Sequence, residues 1–160
     1  MTTSDELLSQ LSEFKDPNTI ILGIGNTLKG DDGVGPFICQ QISGQICAEV
    51  IDAFTVPENY IGVIIKKAPD NLLVIDAIDF EAKPGTIKIF APDALDTISL
   101  STHCISPRLF VDMICQDVNT KVSFIGIQPS DIGMGKPLSD DVNKAANLLV
   151  SALTKLYPLS

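Results

Sequence analysis

The run Ile20-Ile21-Leu22-Gly23-Ile24-Gly25-Asn26-Thr27-Leu28-Lys29-Gly30-Asp31-Asp32-Gly33-Val34-Gly35 opens with an apolar stretch of strand length. It then passes through a glycine-rich turn and delivers two adjacent carboxylates. Pro36, Phe37, Ile38 and Ile42 follow at helical spacing. Strand, tight loop and helix in that order put the acids at the carboxyl end of a strand, where open α/β sheets bind ligands.

The flanking sequence repeats this alternation. Ser4 to Phe14 reads as an amphipathic helix with Leu7, Leu8, Leu11 and Phe14 on one face and Ser4 as N-cap. Thr19 to Ile24 is the first strand, apolar enough to be covered on both sides, and Gly33 to Ser43 is its crossover helix. Ala48 to Ala53 is a second strand, and Pro57 opens a helix through about Lys67. Leu72 to Ala77 is a third strand, and Thr86 to Phe90, after the Pro84-Gly85 turn, alternates like a half-exposed one. Pro107 to Gln116 has helical spacing, Val122 to Ile127 is the last strand, and Ser139 caps a closing helix to Leu156. The expected fold class is α/β: a three-layer αβα domain over residues 1–160, with a mostly parallel twisted sheet of about five strands flanked by helices.

Hydrophobic residues make up 45% of the 160 positions and charged residues 19%, which is globular and not disordered composition. The net charge of −9 opposes nucleic acid as a partner and favours a cationic one. Cys39, Cys47, Cys104 and Cys115 contain no CxxC pair, which argues against a zinc ribbon or thioredoxin motif. Cys39 and Cys47 read as buried small hydrophobes. No basic segment leads into an apolar one at the start, and no apolar run approaches a membrane span. A reducing cytoplasm, with no membrane partner, is the expectation.

The glycines invite a dinucleotide-binding reading, but the third glycine position is Leu28 and two carboxylates would meet the pyrophosphate. No Walker A lysine is present either. Acids instead recur at strand ends: Asp31 and Asp32, Asp52, then Asp76 and Asp79. A parallel sheet brings those ends to one edge. His103, the single histidine, stands in the polar loop Ser99 to Ser106. Two carboxylates and an imidazole suit a borderline divalent metal such as zinc or nickel. The same residues also fit plain helix caps and a surface or packing histidine. A cysteine nucleophile is poorly supported, because Cys104 and His103 are sequence neighbours, and no G-x-S-x-G elbow occurs.

Taken together, the motifs resemble those of the hydrogenase maturation proteases. They are Gly23-x-Gly25-Asn26, Gly30-Asp31-Asp32-Gly33-x-Gly35, Pro57-Glu58-Asn59, Val74-Ile75-Asp76-Ala77, Pro84-Gly85, Ser101-Thr102-His103 and Gly126-Ile127-Gln128-Pro129, in the family's order. The Pro-Glu-Asn and Gly-Ile-Gln-Pro pieces look most like the formate-hydrogenlyase-type branch. The resemblance spans residues 19–156 and implies an endopeptidase that trims the C-terminal extension of a nickel–iron hydrogenase large-subunit precursor. It implies Asp32, Asp76 and His103 as the metal-recognising and catalytic set, with Asp31 as a supporting neighbour. The nickel would be carried by the substrate, zinc or cadmium could replace it in crystals, and the protein would act as a monomer. A non-catalytic nickel-checking chaperone on the same fold is the alternative, and a small-molecule or nucleotide-binding domain a third. After the second strand, relatives often have Asp-Gly-Gly where this chain has Asp52-Ala53-Phe54, and a positive φ there would suit neither alanine nor phenylalanine.

Overall fold

The computed structural model describes residues 3–96 and 105–159. Strands β1 (Thr19–Gly23), β2 (Glu49–Asp52), β3 (Asn71–Ala77), β4 (Ile87–Phe90) and β5 (Lys121–Ile127) form one sheet in the order β2-β1-β3-β5-β4. The first three and β5 are parallel, whereas β4 lies antiparallel on β5 as an edge. Helices α1 (Ser4–Leu11), α2 (Val34–Ile42) and α5 (Asp140–Leu156) cover one face, and α3 (Ile61–Lys67) and α4 (Pro107–Cys115) the other. This is the expected three-layer α/β arrangement.

Side-chain alternation along β3 builds both cores. Leu73, Ile75 and Ala77 pack with Leu11, Ile38, Ile42 and Leu149, while Leu72 and Val74 pack with Ile61, Ile64, Phe110 and Ile114. Each fully buried aliphatic side chain of this kind stabilises by roughly 1.5–3 kcal/mol. All seven β3 residues are buried, which is why the strand reads as unbroken apolar sequence up to Asp76. By the same alternation Asp76 lies on the face of α3 and α4.

Several boundaries differ from those expected, for local reasons. Thr3, not Ser4, caps α1, because Thr3 and Glu6 form a reciprocal capping box. The first helix ends at Leu11, and a 3-10 turn over Ser12–Phe14 carries Phe14 into the core. Asp31 and Asp32 occupy a separate 3-10 turn, Gly30–Gly33, ahead of α2. Cys47 is exposed, contrary to expectation, because its neighbours Ile46 and Ala48 take the inward positions. On α4, Phe110 and Ile114 are buried but Leu109 and Met113 face outward. Among the described residues no helix is long and apolar enough to cross a membrane.

Candidate active site at the β1/β3 edge

The strand order reverses direction at β1 and β3. From β1 the chain moves first to β2 on one side, then crosses back to β3 on the other. The crevice outside the carboxyl ends of two such strands is where sheets of this type hold ligands. Asp32 lies in the turn after β1 and Asp76 is the penultimate residue of β3, so both acids belong to this crevice. They are 0% and 2% exposed, so both acids are built into the fold.

Two glycines let the turn settle onto the strand ends. A Cβ on Gly25 would overlap the Asp32 carbonyl oxygen. One on Gly35 would overlap the Ile24 carbonyl and crowd that of Ile75. The glycine-rich loop therefore packs backbone on backbone. Asn26 N–H donates to Asp32 Oδ2 at 3.0 Å and to the Asp32 carbonyl at 3.1 Å, which fixes the acid's orientation.

Asp31 is fully buried and turns away to a different task. Its Oδ2 accepts from Ser130 N–H at 2.8 Å, Asp131 N–H at 3.0 Å and the Ser139 hydroxyl at 2.8 Å, while Oδ1 accepts from Ser139 N–H at 2.7 Å. Its own N–H donates to the Asp131 carbonyl at 2.8 Å. These bonds tie the acid turn to the loop after β5. Nothing local in the sequence signals this pairing; the expected capping hydroxyl of Ser139 serves Asp31 and makes no bond to its own helix.

The remaining edge acids shape turns. Asp52 accepts from Phe54 N–H at 3.2 Å, and burial pushes its carboxyl above the usual range. Asp79 accepts from Gln128 Nε2 at 3.0 Å and Glu81 N–H at 3.1 Å; the Gln128 bond, then the Glu81 one, hold it below the usual range. Buried Gln128 also takes Phe80 N–H at 2.8 Å and Ala82 N–H at 3.1 Å, which explains its place before Pro129. Glu58 keeps its Oε2 buried with no donor among the described residues. Cys39 is no nucleophile: burial first, then the Asp52 charge, pushes its thiol up to about 12.

The edge is rich in acceptors and suits a cationic ligand or a polarised water. His103 and Cys104 lie outside the described residues. Among the described residues, no three His, Cys, Asp or Glu side chains converge on a metal position.

A family model described as HycI, hydrogenase maturation protease, matches residues 38–156. The chain belongs to the hydrogenase maturation protease family. The match includes Asp76 and begins after Asp32. The Hydrogenase 3 maturation protease of Escherichia coli (strain K12) is 31% identical over 137 residues, covering 84% of this chain and 87% of that protein. The crystal structure of a NiFe hydrogenase maturation protease HycI from Thermococcus kodakarensis KOD1 superposes with a TM-score of 0.82 at 26% identity, over 94% of this chain and 97% of that one. The solution structure of the endopeptidase HycI from Escherichia coli gives 0.78 at 31% identity, over 86% and 89%. This hydrogenase maturation protease is accordingly a hydrolase, an endopeptidase built on the HycI fold.

Proposed function

We propose that this protease removes the C-terminal extension of a hydrogenase large-subunit precursor already loaded with nickel. Asp32, Asp76 and His103 recognise the substrate's metal, and the same three residues carry the catalytic step. The observation that carries this reading is the pair of buried acids, Asp32 and Asp76, at the β1/β3 switch point. Carboxylates and a neutral imidazole are donors that nickel accepts, and an incomplete protein set leaves positions for the substrate's own ligands. With the scissile carbonyl polarised by the substrate's nickel, water activated near the metal or by one of the carboxylates adds to its carbon, the water's proton passes to the leaving nitrogen, and the C–N bond breaks to give a carboxyl group and an amine. Nickel reading needs ionised acids and an unprotonated histidine, so activity weakens in acid.

We place the reaction in the cytoplasm, a reading supported by free thiols at Cys39, Cys47 and Cys115, and carried out by a monomer. The test compares nickel-loaded and nickel-free precursor by mass spectrometry. Shortening of the loaded form alone is the expected result. Equal shortening of both forms overturns metal recognition, and tight binding without shortening overturns the catalytic assignment. Zinc or cadmium in place of nickel would occupy the same three residues.

A further inference from the structure

Phe54 combines two features that a folded chain avoids. It holds φ of 51°, the left-handed region that a bulky side chain enters only under strain, and its side chain is half exposed. The conformation is enforced from both sides. Phe54 N–H donates to Asp52 Oδ1 at 3.2 Å, and its carbonyl accepts from Gly25 N–H at 2.6 Å. Glycine at this position would meet the backbone demand without strain. An aromatic ring that is neither buried nor conformationally suited does its work outside the fold.

The ring lines a groove of about 300 Å³ together with Thr27, Phe37, Gln40, Lys136 and Leu138. Gly30 and Gly33, the residues flanking Asp31 and Asp32, also border it, so the groove runs into the acid turn. Its lining holds one charge, Lys136, and no acid, although the whole chain carries 20 acidic residues. Leu28 and Met134, 66% and 71% exposed, stand on two loops beside it that are joined by the Gly135 N–H to Leu28 carbonyl bond at 2.8 Å. With Phe54 and Val56 they put large exposed hydrophobics on the loops after β1, β2 and β5. Such clustering marks a docking surface, where scattered single residues would not.

We propose that this groove receives an extended, uncharged segment of the precursor polypeptide beside its scissile bond, with an apolar side chain of that segment seated on Phe54. The occupant follows from the activity and the geometry. An endopeptidase must hold chain next to the bond it cuts, and this groove, with both polar and apolar walls, borders the acid turn at Gly30 and Gly33. The adaptable Met134 thioether suits such a contact, and the one charge in the lining, Lys136, is paired with Asp131 at 3.5 Å, so an uncharged segment meets no bare charge. This inference rests on the precursor-trimming function proposed above.

The test is steady-state trimming of purified nickel-loaded large-subunit precursor by wild type, Phe54→Gly and Phe54→Leu, with thermal melts of each. Phe54→Gly removes the ring and the strain together. It should melt no lower than wild type, yet raise KM by roughly tenfold with kcat little changed, and Phe54→Leu should recover most of the loss. An unchanged KM in Phe54→Gly overturns the docking role, as does a fall in kcat alone. A lowered melting temperature for Phe54→Gly also overturns it, because the ring would then be core packing. Wild type that trims no precursor overturns the proposed function instead, so the two failures are separable.

Discussion

Asp31 grips Ser139 twice, taking its amide on Oδ1 at 2.7 Å and its hydroxyl on Oδ2 at 2.8 Å. The bond pair joins the first acid turn to the start of the last helix, and it leaves the adjacent Asp32 to the crevice. Asp31→Asn keeps the shape but turns one carboxylate oxygen into NH2, so at least one of the Ser130, Asp131 and Ser139 N–H groups loses its acceptor. Stability should drop by roughly 3 kcal/mol. The urea midpoint checks this, and a midpoint equal to wild type would remove Asp31's anchoring role.

Asp32→Asn and Asp76→Asn separate chemistry from folding. Because both acids are buried, the isosteric change is the informative one, and in Asp32→Asn the new carboxamide oxygen can still accept the Asn26 amide. Trimming of nickel-loaded precursor should fall on the order of 100-fold while the thermal melt stays close to wild type. Full trimming by either variant would sink the assignment of these two acids.

Gln128→Leu tests the turn after β3 and carries a pH signature. The substitution strands the Phe80 and Ala82 amides and should cost about 2 kcal/mol at neutral pH. In wild type the Gln128 bond holds Asp79 below its ordinary value of 3.8, so the unfolded chain binds protons first as the solution is acidified. That contribution is present above the ordinary value and lost as pH falls through the lowered one. Denaturation curves between about pH 5 and pH 2.5 should therefore slope less steeply in the variant.

Ala68→Gly should stabilise the protein. Ala68 ends α3 in the left-handed conformation, with φ of 44°, and stands exposed before Pro69. Glycine relieves a penalty of about 1 kcal/mol and should raise the melting temperature by roughly 2–4 °C. A lower melting temperature would contradict the assigned cap.

Thiol chemistry reports the packing of α2 against β1. With its pKa pushed up to about 12 and its sulfur against Gly23, Cys39 should resist iodoacetamide at about pH 8 in the folded protein. Exposed Cys47 and Cys115 should be labelled before it. Peptide mapping after brief labelling reads both, and early modification of Cys39 would mean that α2 opens readily.

Much of this was legible in the residues. The apolar residues of Thr19 to Ile24 and Leu72 to Ala77 announced strands covered on both faces, and both strands are there with every residue buried. The failed glycine pattern at Leu28 argued against a nucleotide cradle. Long-range contacts were less visible. Asp31 finds its donors 99 to 108 positions away, a relation that no local pattern encodes. The departure Asp52-Ala53-Phe54 stands out in the sequence, yet only the backbone shows that phenylalanine itself takes the positive φ. Cys47 misled because an apolar run in a connection has no fixed period, and Ile46 and Ala48 claimed the inward positions.

The span between Asp31 and Ser139, 108 positions, also sets when the enzyme comes into being. Closing so long a loop is entropically late. On the ribosome, β1 and the acid turn emerge early, but the clamp that seats them arrives with almost the last helix. A nascent chain that has not yet delivered Ser139 therefore lacks the clamp that seats the acid turn.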